Sequence, residues 1–276
     1  VYIEGFRNVP VLLWIVMVFA LLTEFTPAPK AFKGANPEAT MFLFDSIAIT
    51  NRGTYLPAPV WGQGSTFLII IFLISVLAVI FFTRYAKELK KNTGKSLPSF
   101  WISIGILIVP SVLFYFILGK PVELNYPYLK GFNFKDGIHL RNSFIALTLA
   151  LAFYTSAFIA EVVRSGILAI SKGQTEAAAA LGMKPNKIMS LIILPQALRV
   201  IVPPLISNYL NLTKNSSLAI AVGYMDVRGT LGGITLNQTG RELESMLLLM
   251  GFYLSVSLFI SSIINWYNRS FQIVVR

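Results

Sequence analysis

Apolar residues run through this chain in long blocks separated by polar segments, and the blocks set the architecture. Residues 65–83, 101–118, 142–163, 192–213 and 245–265 form apolar runs, each near the roughly 20 residues that a helix needs to cross about 30 Å of hydrocarbon. The run Val9 to Leu22 is shorter and suffices only with the turn before it. The pattern predicts an all-α polytopic membrane protein with about six spans. Residues 24–64 hold Pro27, Pro29, Pro37, Pro57, Pro59 and Gly62 and predict an extramembrane loop, with a short helix near Pro37 to Ile47. Residues 119–140 predict a second loop on the same side, with aromatic anchors at Tyr126, Tyr128 and Phe132. Pro110 predicts a kink in the third span. Lys214 to Leu218 interrupt the fifth span, leaving Ala219 to Val222 as a short apolar piece that ends at Gly223. Gly229 to Arg241 reads as a glycine-rich loop.

Composition sharpens this reading. The 276 residues are 55% hydrophobic and only 13% charged, against about 25% charged in a soluble domain. Cys is absent, which excludes disulfides, thiol nucleophiles and thiolate metal sites. The single histidine, His139, stands beside Arg141 as a membrane-interface residue, without the company a metal site requires. The formal net charge is +11, but Lys and Arg gather at the ends of apolar runs. That is the pattern of membrane orientation and headgroup contact, not of nucleic-acid binding. Arg84, Lys87, Lys90, Lys91 and Lys95 crowd residues 84–99 against one acid, Glu88, which marks that loop as cytoplasmic. With Arg7 inside as well, the two sides of the membrane carry twelve and ten basic residues, so the dense loop decides the orientation. Gly94-Lys95-Ser96 resembles the tail of a phosphate-binding loop, but Leu89 stands where that motif needs glycine. No ATP hydrolysis by this chain is expected, and no catalytic or metal-binding residue is assigned. The chain opens at Val1 without an initiator Met, so a truncated N-terminus is expected.

Residues 173–194 are the most informative polar stretch. Ala177 to Ala180 give strong helix propensity with little bulk. Ser171 and Gln174 have capping-box spacing, Gly182 suits a left-handed stop, and Pro185 fits the first turn of a further helix. The shape is a short helix outside the lipid, a sharp turn and a helix that enters the membrane. Taken alone, the alanines also fit an ordinary connector. Glu4 and Arg7 are three apart, as are Glu161 and Arg164, and each pair can form an ion pair at a helix end. Asn208 and Asn211 share a face of the fifth span, followed by Lys214, Asn215, Ser216 and Ser217. Such groups in a membrane face protein or water. They suit either a translocation path or interhelical hydrogen bonds.

Glu176-Ala177-Ala178, then Gly182, then Ile192-Ile193-Leu194-Pro195 resembles, position for position, the EAA loop of bacterial ABC-importer permeases. Glu4-Gly5-Phe6-Arg7-Asn8-Val9-Pro10 resembles the opening segment of polar amino-acid permeases, and Leu236 to Arg241 their general L-amino-acid branch. The likeness covers residues 140–276 and 1–22, with 24–139 as an insertion. It implies a single permease domain of type I importer fold in the bacterial inner membrane. Residues 24–64 and 119–140 would be periplasmic and the 173–194 loop cytoplasmic. Gln174, Glu176, Ala177, Ala178, Leu181 and Gly182 would couple to an ATPase. Implied partners are a second permease subunit, paralogous or identical, an ABC ATPase dimer carrying ATP and Mg, a periplasmic amino-acid-binding protein and the bilayer. No cofactor is expected on this chain. The alternative, an ion-coupled secondary carrier of small polar solutes, wants carboxylates near mid-membrane, where the spans offer only Glu161, close to a helix end.

Overall fold

The computed structural model describes residues 2–34, 37–94 and 97–271, with side chains to Trp266. Lys95 and Ser96 of the basic loop, and Arg276, lie outside the described residues, as does the side chain of Arg269. The chain divides into two compact units. The first comprises residues 1–28, 50–53 and 140–276; the second comprises 29–49 and 54–139.

In the first unit, α1 (Tyr2–Asn8) and α2 (Val11–Glu24) meet at a bend of 107°. The sequence reading counted the two as one span, but α1 does not prolong α2 along its axis. Pro10 caps α2 and disfavours helical geometry at Val9 before it. Next in this unit comes α5 (Asn142–Leu168). Val11 and Ile15 of α2 pack with Leu147, Ala150 and Leu151 of α5 in a buried apolar cluster, joined by Ala219 and Val222. Buried Asn142 ties this end together, its amide donating to the carbonyls of Leu22 (3.2 Å) and Thr50 (3.3 Å). Then follow α6 (Lys172–Ala180), α7 (Pro185–Ile188), a π-helical turn (Met189–Ile193) and α8 (Leu194–Asn215). The π-turn has a local cause. Pro195 lacks an amide hydrogen and would clash with the carbonyl four residues back. Widening the helix, with the Leu194 amide bonded to the Met189 carbonyl, accommodates it.

The expected break at Lys214 to Leu218 does not occur. α8 runs through Asn215 and tightens into a 3₁₀ helix over Ser216–Val222, ending at Gly223 with φ +68°. The Ser216 and Ser217 hydroxyls donate to the carbonyls of Thr213 and Lys214, which supports the tighter winding. The expected glycine-rich loop is also helical: α9 (Val227–Gly229), a π-turn (Thr230–Thr235) and α10 (Leu236–Thr239) lead into α11 (Glu242–Phe271).

The second unit is built on a hairpin of α3 (Ser65–Thr93) and α4 (Ser99–Ile117), with Pro110 inside α4. α3 runs ten residues past its apolar part, so most of the basic loop is helix. The polar segments hold strands that the sequence reading did not anticipate: β1 (Ala48–Thr50), β2 (Gly53–Leu56), β3 (Ala58–Trp61), β4 (Val122–Asn125), β5 (Tyr128–Lys130), β6 (Asn133–Lys135) and β7 (Ile138–Leu140). They pair as sheets β1-β2-β7, β3-β4 and β5-β6. No helix forms over Pro37 to Ile47. Leu43, Phe44 and Asp45 make a turn with φ of 50–58°, closed by a Phe42–Ile47 bridge. Because β3 and β4 pair antiparallel, Ala58 opposite Asn125 and Trp61 opposite Val122, both loops lie at one end of the α3–α4 hairpin. His139 stacks on Tyr55 at 4.4 Å between ring centres, and Tyr55 packs with Ala48 and Phe134 in this unit's core.

Among the described residues, five helices are long and apolar enough to cross a membrane: α3, α4, α5, the continuous Pro185–Val222 segment and α11; six do if the bent α1–α2 pair counts as one.

Candidate functional site

The helix α6 begins as predicted, with one change. The Ser171 hydroxyl accepts from the Gly173 amide (3.3 Å), half of the expected capping box. The Gln174 side chain does not close the other half. Its carbonyl accepts from the Gln196 amide (3.4 Å), tying α6 to α8. The helix stops at Gly182, φ +75°, where the Gly182 amide bonds the Ala179 carbonyl (2.9 Å) and the Met183 amide bonds the Ala178 carbonyl (3.2 Å). This is a Schellman stop, and a glycine satisfies its left-handed geometry without a Cβ penalty.

Along α6 only Ala178 is buried. It packs on Ile188 and Ile193, with Ile167, Ile170, Met183 and Ile192 around them. Because the contact is a single methyl, α6 lies close against α7 and the π-turn that leads into α8. Gln174, Glu176, Ala177 and Gly182 are exposed, and Leu181 keeps 82% of its surface accessible.

Three asparagines of α8 face α5. Asn208, Asn211 and Asn215 line a cavity of about 230 Å³ with Leu212 and with Tyr154, Thr155 and Phe158 of α5. Spacings of three and four residues put these asparagines on one stripe. Lys214, Ser216 and Ser217 were grouped with them in the sequence reading, but they are not in this wall. The two serine hydroxyls return to their own helix, and the Ser217 carbonyl accepts from Arg228 (3.3 Å).

Arg164 bonds both carboxylate oxygens of Glu161, at 3.0 and 2.6 Å. Arg7 does something the spacing did not predict. Its guanidinium sits over the Phe158 ring, 5.9 Å from the centre, a cation–π arrangement. α1 is further held to α5 by the Tyr2 hydroxyl, which donates to the Phe153 carbonyl (2.9 Å).

The sequence pattern of the binding-protein-dependent transport system inner membrane components matches residues 92–272, a stretch that includes α6 and the whole asparagine cavity. The chain belongs to this family. It is 52% identical to the glutamate/glutamine/aspartate/asparagine transport system permease protein BztB of Rhodobacter capsulatus, over all of this chain and 70% of that protein. It is 40% identical to the putative amino-acid ABC transporter permease protein YhdX of Escherichia coli, over all of this chain and 68% of that protein. It is 39% identical to the general L-amino acid transport system permease protein AapQ of Rhizobium johnstonii, over all of this chain and 67% of that protein. As a member of this permease family, the chain is a multi-pass, non-catalytic transmembrane subunit.

Sequence reasoning missed part of the permease cavity. Tyr154, Thr155 and Phe158 sit in a span that reads as continuous lipid-compatible helix. The available signal was the Tyr154-Thr155-Ser156 cluster in the middle of that apolar run. It also missed Asp226, whose carboxylate accepts from the Gly229 amide (3.0 Å) and from the Tyr253 hydroxyl (3.4 Å), fastening α9 to α11.

Proposed function

We propose that this chain is the permease subunit of an ATP-driven importer of amino acids in the bacterial inner membrane. The observation that carries the reading is α6: a short helix of small residues between two spans, with one methyl tucked against the permease and Leu181 and Glu176 turned outward. In this reading residues 173–194 form the cytoplasmic loop, and α6 docks on a separate ATPase dimer that holds ATP and Mg. Residues 84–99 share the cytoplasmic side, and the loops 24–64 and 119–140 face the periplasm and a substrate-delivering binding protein. A second permease subunit, paralogous or identical, completes the path. The relatives' names, and the polar wall of Asn208, Asn211 and Asn215, support amino acids as cargo, since carboxamides can bond both ends of a zwitterion. Nucleotide binding shifts the inward- and outward-open states only by its different affinity for each. The packing of α6 on α7 and the π-turn, and its Gln174–Gln196 bond to α8, support a path for that shift.

The experiment is uptake of labelled amino acids into proteoliposomes that hold this chain, its co-purifying ATPase and a second permease, with binding protein added outside. Uptake should require ATP, and unlabelled competitors should rank the substrates. Uptake driven by an ion gradient without ATP would overturn the reading in favour of a secondary carrier. In the same assay, Asn211→Leu should lower uptake about tenfold or more through loss of a polar contact in a low-dielectric path, with the ATPase still bound. Unchanged uptake and competition would remove Asn211 from the path.

A further inference from the structure

The α3–α4 hairpin holds a second cavity, of about 250 Å³, lined by Thr83, Ala86, Lys87, Lys90, Leu97 and Ser99. Helix length fixes its depth. α4 has 19 residues, about 28 Å at 1.5 Å per residue, which matches the hydrocarbon thickness. At one end of the hairpin Gly64, which caps α3, faces Leu118, which ends α4. The other end therefore brings Ser99 level with Thr83, and the cavity lies where hydrocarbon meets water.

α3 continues past that boundary to Thr93. Thr83, Lys87 and Lys90 recur at intervals of four and three residues and so form one stripe, while Ala86 beside them is buried. Glu88 falls on the opposite side of the helix, four residues from Arg84 and three from Lys91, where it can pair with those outer cations. The cavity thus gathers two ammonium groups and two hydroxyls against an apolar wall of Ala86 and Leu97, with the neighbouring acid turned away. A phosphate carrying a glycerol ester and acyl chains matches both halves of that lining.

We propose that this cavity binds the phosphate of an anionic phospholipid, with Lys87 and Lys90 as its cationic partners. The proposal rests on α3 and α4 being membrane spans and is independent of the ATPase and of the cargo. The basic segment then acts as a seat that fixes one lipid between two helices, beyond its part in setting orientation.

The test is native mass spectrometry of the full-length permease chain, released from a neutral detergent and titrated with phosphatidylglycerol or phosphatidylcholine. K87Q/K90Q and R84Q/K91Q remove the same charge from the same turns of α3, the first pair from the cavity lining and the second from residues outside it. K87Q/K90Q should weaken phosphatidylglycerol binding about thirtyfold, and R84Q/K91Q less than threefold. K87R/K90R, which keeps the charge, should retain binding and shows that the site tolerates substitution. Equal losses in the two glutamine variants would mean diffuse attraction to a basic helix and would overturn the site. Full competition by millimolar inorganic phosphate would reassign it to a soluble anion. Neither result bears on ATP-driven uptake, so this inference and the proposed function fail separately.

Discussion

Replacing Leu181 by aspartate should abolish ATP-driven uptake while leaving the permease folded. With 82% of its surface accessible, Leu181 contributes little to this chain's own packing, so its loss should shift the thermal midpoint by no more than a surface substitution does. If α6 enters a groove on the ATPase, the same side chain is its apolar anchor. An anchor of this kind typically accounts for about 2–4 kcal/mol of an interface, and an unpaired carboxylate in the groove adds a desolvation cost. Together these give a loss of at least thirtyfold in ATPase recovered with the permease, and loss of substrate-stimulated hydrolysis. Gly182→Ala is the informative contrast. A Cβ at Gly182 meets nothing within 4 Å, so alanine there costs only the left-handed backbone penalty of about 1–2 kcal/mol and places no charge in the groove. It should lower stability and keep coupling. Co-purification of the ATPase and proteoliposome uptake measure both. Full uptake by the Leu181→Asp variant would show that α6 is not the docking element.

How well the sequence announced each part follows from whether the deciding interaction was local. The start and stop of α6 depend on the Ser171 hydroxyl accepting from an amide two residues on and the Gly182 amide donating to a carbonyl three residues back, and both were readable. The Gln174–Gln196 bond that replaced half of the capping box joins residues 22 apart, and nothing local announces it. β3 and β4 were invisible for the same reason, since β3 finds its partner across the whole α3–α4 hairpin, whereas β5 and β6 pair across a two-residue turn and were a local signal that was overlooked. Polarity misled where helix continued without lipid. Residues 84–93 read as a loop because they are charged, and Lys214 to Ser217 as a break because they are polar, yet backbone bonding continued through both. At the candidate site, the α8 asparagines stood out against an apolar run, while on α5 only the short Tyr154-Thr155-Ser156 cluster hinted at the facing wall and Phe158 looked like any lipid-facing aromatic.

Gly166→Leu should loosen the α5–α8 contact and lower transport even though residue 166 touches neither cargo nor ATPase in the proposed arrangement. Gly166 is buried where α5 crosses α8, against Ile201 and the Ala197 carbonyl, and an added Cβ would collide with the Ile201 side chain. Ala197 and Ile201 are themselves buried. Helices in lipid gain little from the hydrophobic effect and associate through close packing of small residues, so this approach holds α8 to α5 one turn from the cluster that seats Ala178. Overpacking such a contact typically costs about 1–3 kcal/mol. The wedge would also part α5 from α8, to which Gln174 ties α6. Trimming the opposing side chain restores the space, so Gly166→Leu with Ile201→Ala should recover most of the lost thermal midpoint and part of the uptake. Additive losses in that double-mutant cycle would mean that the two residues do not share a contact, and that motion of α6 reaches the asparagine cavity by another route.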